Sequence, residues 1–452
     1  MTTLPTTVPA NAQQAGLWFI HESDPECSAY HLALAAEVTA EPALGARVLD
    51  ILSDLLAEHE ALRAGLRAGP EGPEQFVAED LAPLVHHTDC RATDPAALRT
   101  LIRDDSRVPF DLSRPPLWRV HLYRTGESTW VFAVVMHHIA ADFWSLALLL
   151  TEVRARLDGT PSPFTLDGGA FAAYAARQRE SLAGPRAAAL LQDEAKRLAD
   201  PPAGLDLYGD LPRPPVPSYD GGSTTPYTVL LSAYFVFLSR LSGQSDILVG
   251  TPTSGRLQRS MRDALGNFVN TVVVRGEVDE EATFRALLAS SRTRVAEAMR
   301  AQELPFPWLV RELAPPRDTS RTPLFQAGFA WDRLPFLNDM DAFFLLAPGP
   351  DARLSVAGAT LRPYPLPQQE GQTDLWVEMG AEREGAFAGV LRYSTDLFTA
   401  GTAAELAATF VSTAHSLLAA PDEELGTLPR GDARQRAALA AWGTGPEPAR
   451  PA

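Results

Sequence analysis

Cysteine is scarce in this chain: Cys27 and Cys90 are the two among 452 residues. They build no disulfide framework, neither stands in a metal-ligand spacing, and the usage fits a reduced cytoplasmic setting. Basic residues are also in deficit. Lys and Arg number 39 against 56 Asp and Glu, giving a formal net charge of −17. A chain of that sign repels polyanions, which argues against nucleic acid as the main partner. Apolar runs stop at the length of a strand or core helix. The stretch Met1 to Ala12 has no basic region followed by an apolar one, so neither a membrane span nor a signal peptide is expected. Gly250 to Arg256 looks superficially phosphate-binding but lacks the Gly-Lys-Thr/Ser of a nucleotide loop. Short-period repeats are missing as well.

What is present is an apolar fraction of 46%, ample for a large core, in a chain long enough for two domains or two lobes. The first half alternates strand-like and helix-like segments. His31 to Val38 reads as a strand and Ala43 to Glu58 as a helix. Leu117 to Tyr123 and residues 130–136 read as a hairpin. Gly and Pro cluster at 159–169 and again at Pro212 to Gly222, around an alanine-rich helix, and mark the connection between lobes. The second half reads as a helix over Pro226 to Leu241, strands at Asp246 to Gly250 and Phe268 to Arg275, and a helix over 281–300. A strand at Thr373 to Met379 pairs with Gly389 to Tyr393, and a last helix spans Ala403 to Leu418. Gly431 to Ala452 has the composition of an interdomain linker, which fits a piece cut from a larger protein.

The most informative stretch is His137-His138-Ile139-Ala140-Ala141-Asp142. It joins the apolar strand Trp130 to Met136 to a helix starting at Phe143. A histidine there is exposed while the scaffold holds it rigid, and it exchanges a proton near neutral pH. The second pair, His86-His87, is expected in a polar loop before Thr88-Asp89-Cys90, with no helix bearing an aspartate, and reads as surface. His59, on the helix expected to carry Arg63, reads as packing.

With its neighbours, this stretch resembles the signature of condensation domains of non-ribosomal peptide synthetases. Asn11 to Phe19, Glu58 to Arg63, Gly266 to Thr271, Gln302 to Phe306 and Arg317 to Gln326 resemble further motifs of that family, in its order, over about residues 10–430. Three departures stand out. Phe143 replaces the glycine usual after the aspartate, a form similar to domains working beside polyketide modules, and is expected to alter the turn or narrow the substrate channel. Phe171 to Gln178 lacks the acidic and Trp positions of the fourth motif. Tyr219 to Pro226 is short where the family has a strand and a helix.

The resemblance implies an α/β fold of two chloramphenicol-acetyltransferase-like lobes in a V-shaped pseudo-dimer, with a tunnel between them. It implies a first lobe over 1–175, a second over 176–430 with latch and bridging segments, and a linker over 431–452. His138, His137 and Asp142 form the implied catalytic set, Arg63 the ion-pair partner of Asp142, and Phe143, Trp144, Ser145, Asn270 and Gln14 the substrate channel. The implied reaction joins a donor acyl thioester to the amine of an acceptor aminoacyl thioester. Both arrive on phosphopantetheine arms of carrier proteins, with an adenylation domain following the linker. No metal and no cofactor of the domain's own are implied.

The residues leave several readings open. His138 serves as general base or as a positioner of the amine. Asp142 is an N-cap or a buried ion pair. Asn270 bonds substrate or local backbone, and Ser145 faces the site or is an ordinary first-turn serine. Close rivals for the activity are ester formation, transfer to a soluble acceptor and a non-catalytic docking domain. A heterocyclising relative would carry aspartate in place of the histidine pair, and an epimerising one fits the 317–326 motif less well.

Overall fold

A computed structural model describes residues 7–41, 43–162, 164, 170–202, 205, 219–222, 227–315, 321–331, 352–366, 373–383 and 386–429. In chain order the first lobe runs β1 (Thr7–Pro9), α1 (Ala12–Ser23), β2 (His31–Thr39) and α2 (Ala43–Glu58). It continues with β3 (Ala64–Gly69), β4 (Gly72–Val77), β5 (Val85–Asp89), α3 (Pro95–Arg107), β6 (Trp118–Arg124), β7 (Thr129–His137) and α4 (Phe143–Asp158). Then come α5 (Ala170–Leu182), α6 (Pro185–Arg197), β8 (Tyr219–Gly222), α7 (Tyr227–Ser242), β9 (Asp246–Thr253), α8 (Arg259–Arg262) and β10 (Asn270–Glu277). The chain goes on through α9 (Phe284–Arg300), α10 (Phe306–Leu313), β11 (Ala327–Trp331), β12 (Leu354–Val356), β13 (Ala359–Pro363), β14 (Leu375–Arg383), β15 (Ala386–Ser394) and α11 (Ala400–Ala419).

Two six-stranded sheets organise these elements. The first has the order β12-β13-β2-β7-β6-β5 and the second β10-β9-β11-β14-β15-β8, beside a small β1-β4-β3 sheet. β7 is central in the first, antiparallel to β2 and β6, with His31 opposite His137. Burial of both its faces explains its near-continuous apolar sequence. One face packs with α2 and α4 around Leu55, Leu56, Val134, Met136, Leu146 and Leu148. The second sheet packs on the apolar helix α7, with Tyr234, Phe235 and Phe237 beside Phe329 and Phe410. The fold is α/β with two acetyltransferase-like lobes.

Three features depart from the sequence expectation. His86 and His87 lie on the edge strand β5, parallel to β6, rather than in a loop. Both are exposed, and His86 stacks on His121 with centroids 4.8 Å apart. The hairpin β12–β13 comes from the second half of the chain yet extends the first lobe's sheet by pairing with β2. Tyr219–Gly222 forms an edge strand on β15, so part of the short segment is itself sheet. Residues 223–226, the linker at 431–452 and Arg317 to Ser320 of the last motif lie outside the described residues. Among those described, no helix is long and apolar enough to cross a membrane.

Candidate active site

β7 ends at His137, a turn spans 138–140, and α4 begins at Phe143. The turn is closed by the Ala140 N–H donating to the His137 carbonyl at 3.0 Å, while the His138 N–H donates to the Tyr30 carbonyl at 2.8 Å. This strand–turn–helix join arises because the buried run of β7 ends at His137 and Asp142 caps α4. Asp142 Oδ1 accepts the Ser145 N–H at 2.8 Å, satisfying one of the helix's free donors.

The two histidines have different surroundings. His137 is buried, and its Nδ1 accepts the Ile139 N–H at 3.1 Å. Burial, assisted by the nearby His31, His138 and His21 rings, holds its pKa well below the ordinary histidine value, so the ring is neutral and committed to the loop's own backbone. His138 is half-buried. Its Nδ1 is sealed from solvent without a hydrogen-bond partner, whereas Nε2 is not sealed in this way. The ring thus presents one nitrogen outward and draws no support from a carboxylate.

Asp142 has no capacity left over. Its carboxylate accepts from Arg256 Nη2 at 2.7 and 3.0 Å, from Ser145 Oγ at 2.7 Å and from the Phe268 N–H at 3.2 Å, in addition to the cap. The Asp142 and Arg256 side chains are 0% and 1% exposed. The N-cap and ion-pair readings of Asp142 therefore both hold, but the partner is Arg256 and not Arg63. Arg63 sits at the end of a short 3-10 turn, Glu60–Arg63, that follows α2. Its guanidinium donates to the carbonyls of Leu56, Ala57 and Ala78. Carbonyls at the end of α2 lack helical donors, and a nearby arginine fills that need. His59 caps the same turn and is buried, as packing required.

Arg256 follows Gly255, just past β9. Gly255 has φ +63, and a Cβ there would meet the Phe268 carbonyl at 1.8 Å. Only glycine allows the chain to turn there, aiming Arg256 across the junction. Its Nη1 donates to the carbonyls of Met261 and Ala264, both at 2.6 Å, and its guanidinium lies 4.2 Å from the Phe268 ring centroid. The same loop docks on α4 through the Asp142 N–H to Gly266 carbonyl bond at 3.2 Å, and through Trp144 Nε1 to the Arg262 carbonyl at 2.8 Å.

Several expected channel residues have other work. Ser145 is fully buried, with its single O–H within reach of Asp142 Oδ1 at 2.7 Å and the Gly266 carbonyl at 2.9 Å, and its Oγ accepts from Arg256 and the Gly266 N–H. Asn270 spends both amide hydrogens on the carbonyls of Gln302 and Leu304, and its oxygen accepts the Phe306 N–H. That is the local-backbone reading: it fastens the start of β10 to the 302–306 turn. Gln14 is buried in a capping box with Asn11. Phe143 and Trp144 stay half-exposed at the start of α4, with part of each ring on the first lobe's core. Arg256, absent from the site residues expected from sequence, ends the Gly250 to Arg256 stretch that only superficially looked phosphate-binding. Among the described residues no group of three or more His, Cys, Asp or Glu is placed to hold a metal.

Two acetyltransferase-like lobes, with a half-buried histidine on a strand–turn–helix join of the first, are the fold of a transferase-type domain. The condensation-domain family model matches residues 5–203 and 218–440. The chain belongs to that family. It is 32% identical over 422 residues to malpibaldin synthetase of Mortierella alpina, covering 86% of this chain and 7% of that protein. Phosphinothricin tripeptide synthetase PhsC of Streptomyces viridochromogenes is 30% identical over 452 residues, covering 93% and 40%. A solved four-domain non-ribosomal peptide synthetase bound to AMP and glycine superposes with a TM-score of 0.88 at 30% identity, over 96% of this chain and 35% of that one. The chain thus spans less than half the length of these relatives.

Proposed function

We propose that the chain catalyses amide-bond formation between a donor acyl or peptidyl thioester and the amine of an acceptor aminoacyl thioester, both presented on phosphopantetheine arms. The observation that supports this reading is the half-buried His138 ring, its backbone locked to Tyr30, four residues before the Asp142–Arg256 pair that ties the two halves of the chain together. The amine, with a reference pKa of about 8, is already partly neutral near pH 7, and a thiolate of pKa near 8.5 leaves readily. Holding the reactants about 3–3.5 Å apart is then the main requirement. Nitrogen attacks the thioester carbonyl, the C–N bond forms, the C–S bond breaks, and the proton lost by nitrogen passes by way of His138 Nε2 to the departing thiolate, leaving amide and free thiol. His138 Nε2 accepts the amine N–H and aims its lone pair. Asp142 is fully occupied by Arg256, Ser145 and Phe268 and does not back the ring, which favours positioning with modest base assistance over strong base catalysis. Donor and acceptor carrier proteins and an adjacent adenylation domain are the partners this reading requires.

The test loads a donor and an acceptor carrier protein and follows product by intact-protein mass spectrometry. Amide product with an aminoacyl acceptor supports the reading. Transfer to hydroxyacyl or soluble acceptors alone replaces it with an ester-forming or soluble-acceptor activity. Carrier binding with no transfer to any acceptor replaces it with a docking role.

A further inference from the structure

The peptide that follows Ile139, next to His138, is held from outside its own loop. Gln14, in the first turn of α1, donates from Nε2 to the Ile139 carbonyl at 3.2 Å and to Gln75 Oε1 at 2.8 Å. Gln14 is 1% exposed and Gln75, on β4, 7%. The amide's orientation is not arbitrary. Its oxygen accepts the Asn11 N–H at 3.1 Å, so the nitrogen must face the Ile139 carbonyl. Ile139 is fully buried, and its own N–H is spent on His137. The carbonyl would otherwise be an unpaired acceptor in a dry site, a costly state that a loop escapes by rotating its peptides. Rotation of the 139 peptide swings the backbone that carries His138.

The helix bearing Gln14 is itself tied to distant parts of the chain. Asn11 Nδ2 donates to the Asn267 carbonyl at 3.3 Å, and the Ala12 N–H donates to Gln178 Oε1 at 2.9 Å. The start of α1 therefore touches both the histidine loop and the loop that delivers Arg256.

We infer that the buried Gln14–Gln75 amide pair is a positioning device for acyl transfer: it grips the Ile139 carbonyl and fixes where the His138 ring stands. The inference rests on the proposed role of His138. Gln14 touches no reactant, so its loss should lower kcat and leave the acceptor KM in place.

Gln14→Glu separates the two jobs of the side chain. A carboxyl still accepts the Asn11 N–H and keeps the cap. It donates to Ile139 or Gln75 only while protonated, and burial beside two oxygens raises its pKa. Gln14→Met removes both jobs. The experiment measures kcat and acceptor KM for wild type, Gln14→Glu, Gln14→Met and His138→Ala with loaded carriers from pH 6 to 9, alongside thermal midpoints. Expected are a fall in kcat of about tenfold to a hundredfold for Gln14→Met, as for a displacement near 1 Å, and an acceptor KM within twofold of wild type. For Gln14→Glu the ratio of kcat to wild type, assayed well below the thermal midpoint, should fall as pH rises; the midpoint itself drops in the same direction, because a carboxyl whose pKa is raised by burial costs stability as it ionises. Wild-type kcat in both Gln14 variants with an impaired His138→Ala overturns the positioning inference and leaves the His138 reading standing. A pH-independent ratio, or a loss that vanishes at assay temperatures well below the thermal midpoint, makes Gln14 merely structural and also overturns it. An unimpaired His138→Ala removes the reading on which the inference depends.

Discussion

Arg256 and Asp142 form a sealed ion pair across the two lobes, with one guanidinium nitrogen 2.7 and 3.0 Å from the two carboxylate oxygens. The pair joins the segment after β9 to the cap of α4, so the helix that follows the histidine loop is anchored by the opposite half of the chain.

Removing one partner leaves a buried charge without compensation. Arg256→Met is expected to destabilise the chain by about 3–5 kcal/mol in urea unfolding. The double variant Asp142→Leu, Arg256→Met is expected to cost less than the two single changes together, because neither charge is then stranded. Additive losses would show that the pair is not coupled.

Phe143 opens α4 half-exposed. Phe143→Gly is expected to admit bulkier acceptors, at a stability cost of roughly 0.5–1 kcal/mol for glycine in a helix. A panel of acceptor thioesters checks this, and an unchanged acceptor range would remove Phe143 as a determinant of channel width.

His31 titrates with a sign that can be worked out. Burial lowers its pKa from 6.5 to about 4, against the raising effect of its bond to the Ser106 carbonyl at 2.9 Å. Between those values the unfolded chain binds the proton and the folded chain does not, so stability falls as pH drops from about 6.5 to about 4. His137 acts in the same direction. His31→Gln is expected to flatten that slope by about one proton, read from urea midpoints at several pH values. An unchanged slope would mean that His31 is already charged in the fold.

Much of the scaffold was legible. β2, α2, the β6–β7 hairpin and α7 follow the expected boundaries to within a residue or so, because apolar periodicity reports burial directly. The histidine loop was readable because a strand and a helix flank it. Arg256 was not, since its contact with Asp142 spans 114 residues and no local pattern encodes such a distance. Arg63 carried the expected charge, but the carbonyls ending α2 claimed it. Asn270 left two readings open because an amide at a strand start suits substrate and backbone alike, and only the 302–306 turn decides between them. The β5 edge strand was hidden by its polar sequence, since one exposed face relaxes the apolar requirement.

The account turns on the His138 ring meeting the incoming amine. The most direct measurement is the single-turnover rate of amide formation for wild type and His138→Ala, with both carriers loaded and circular dichroism confirming the fold. A loss of about 10²-fold or more, with carrier binding and fold retained, is the predicted result. A folded His138→Ala that forms the amide at the wild-type rate would contradict it.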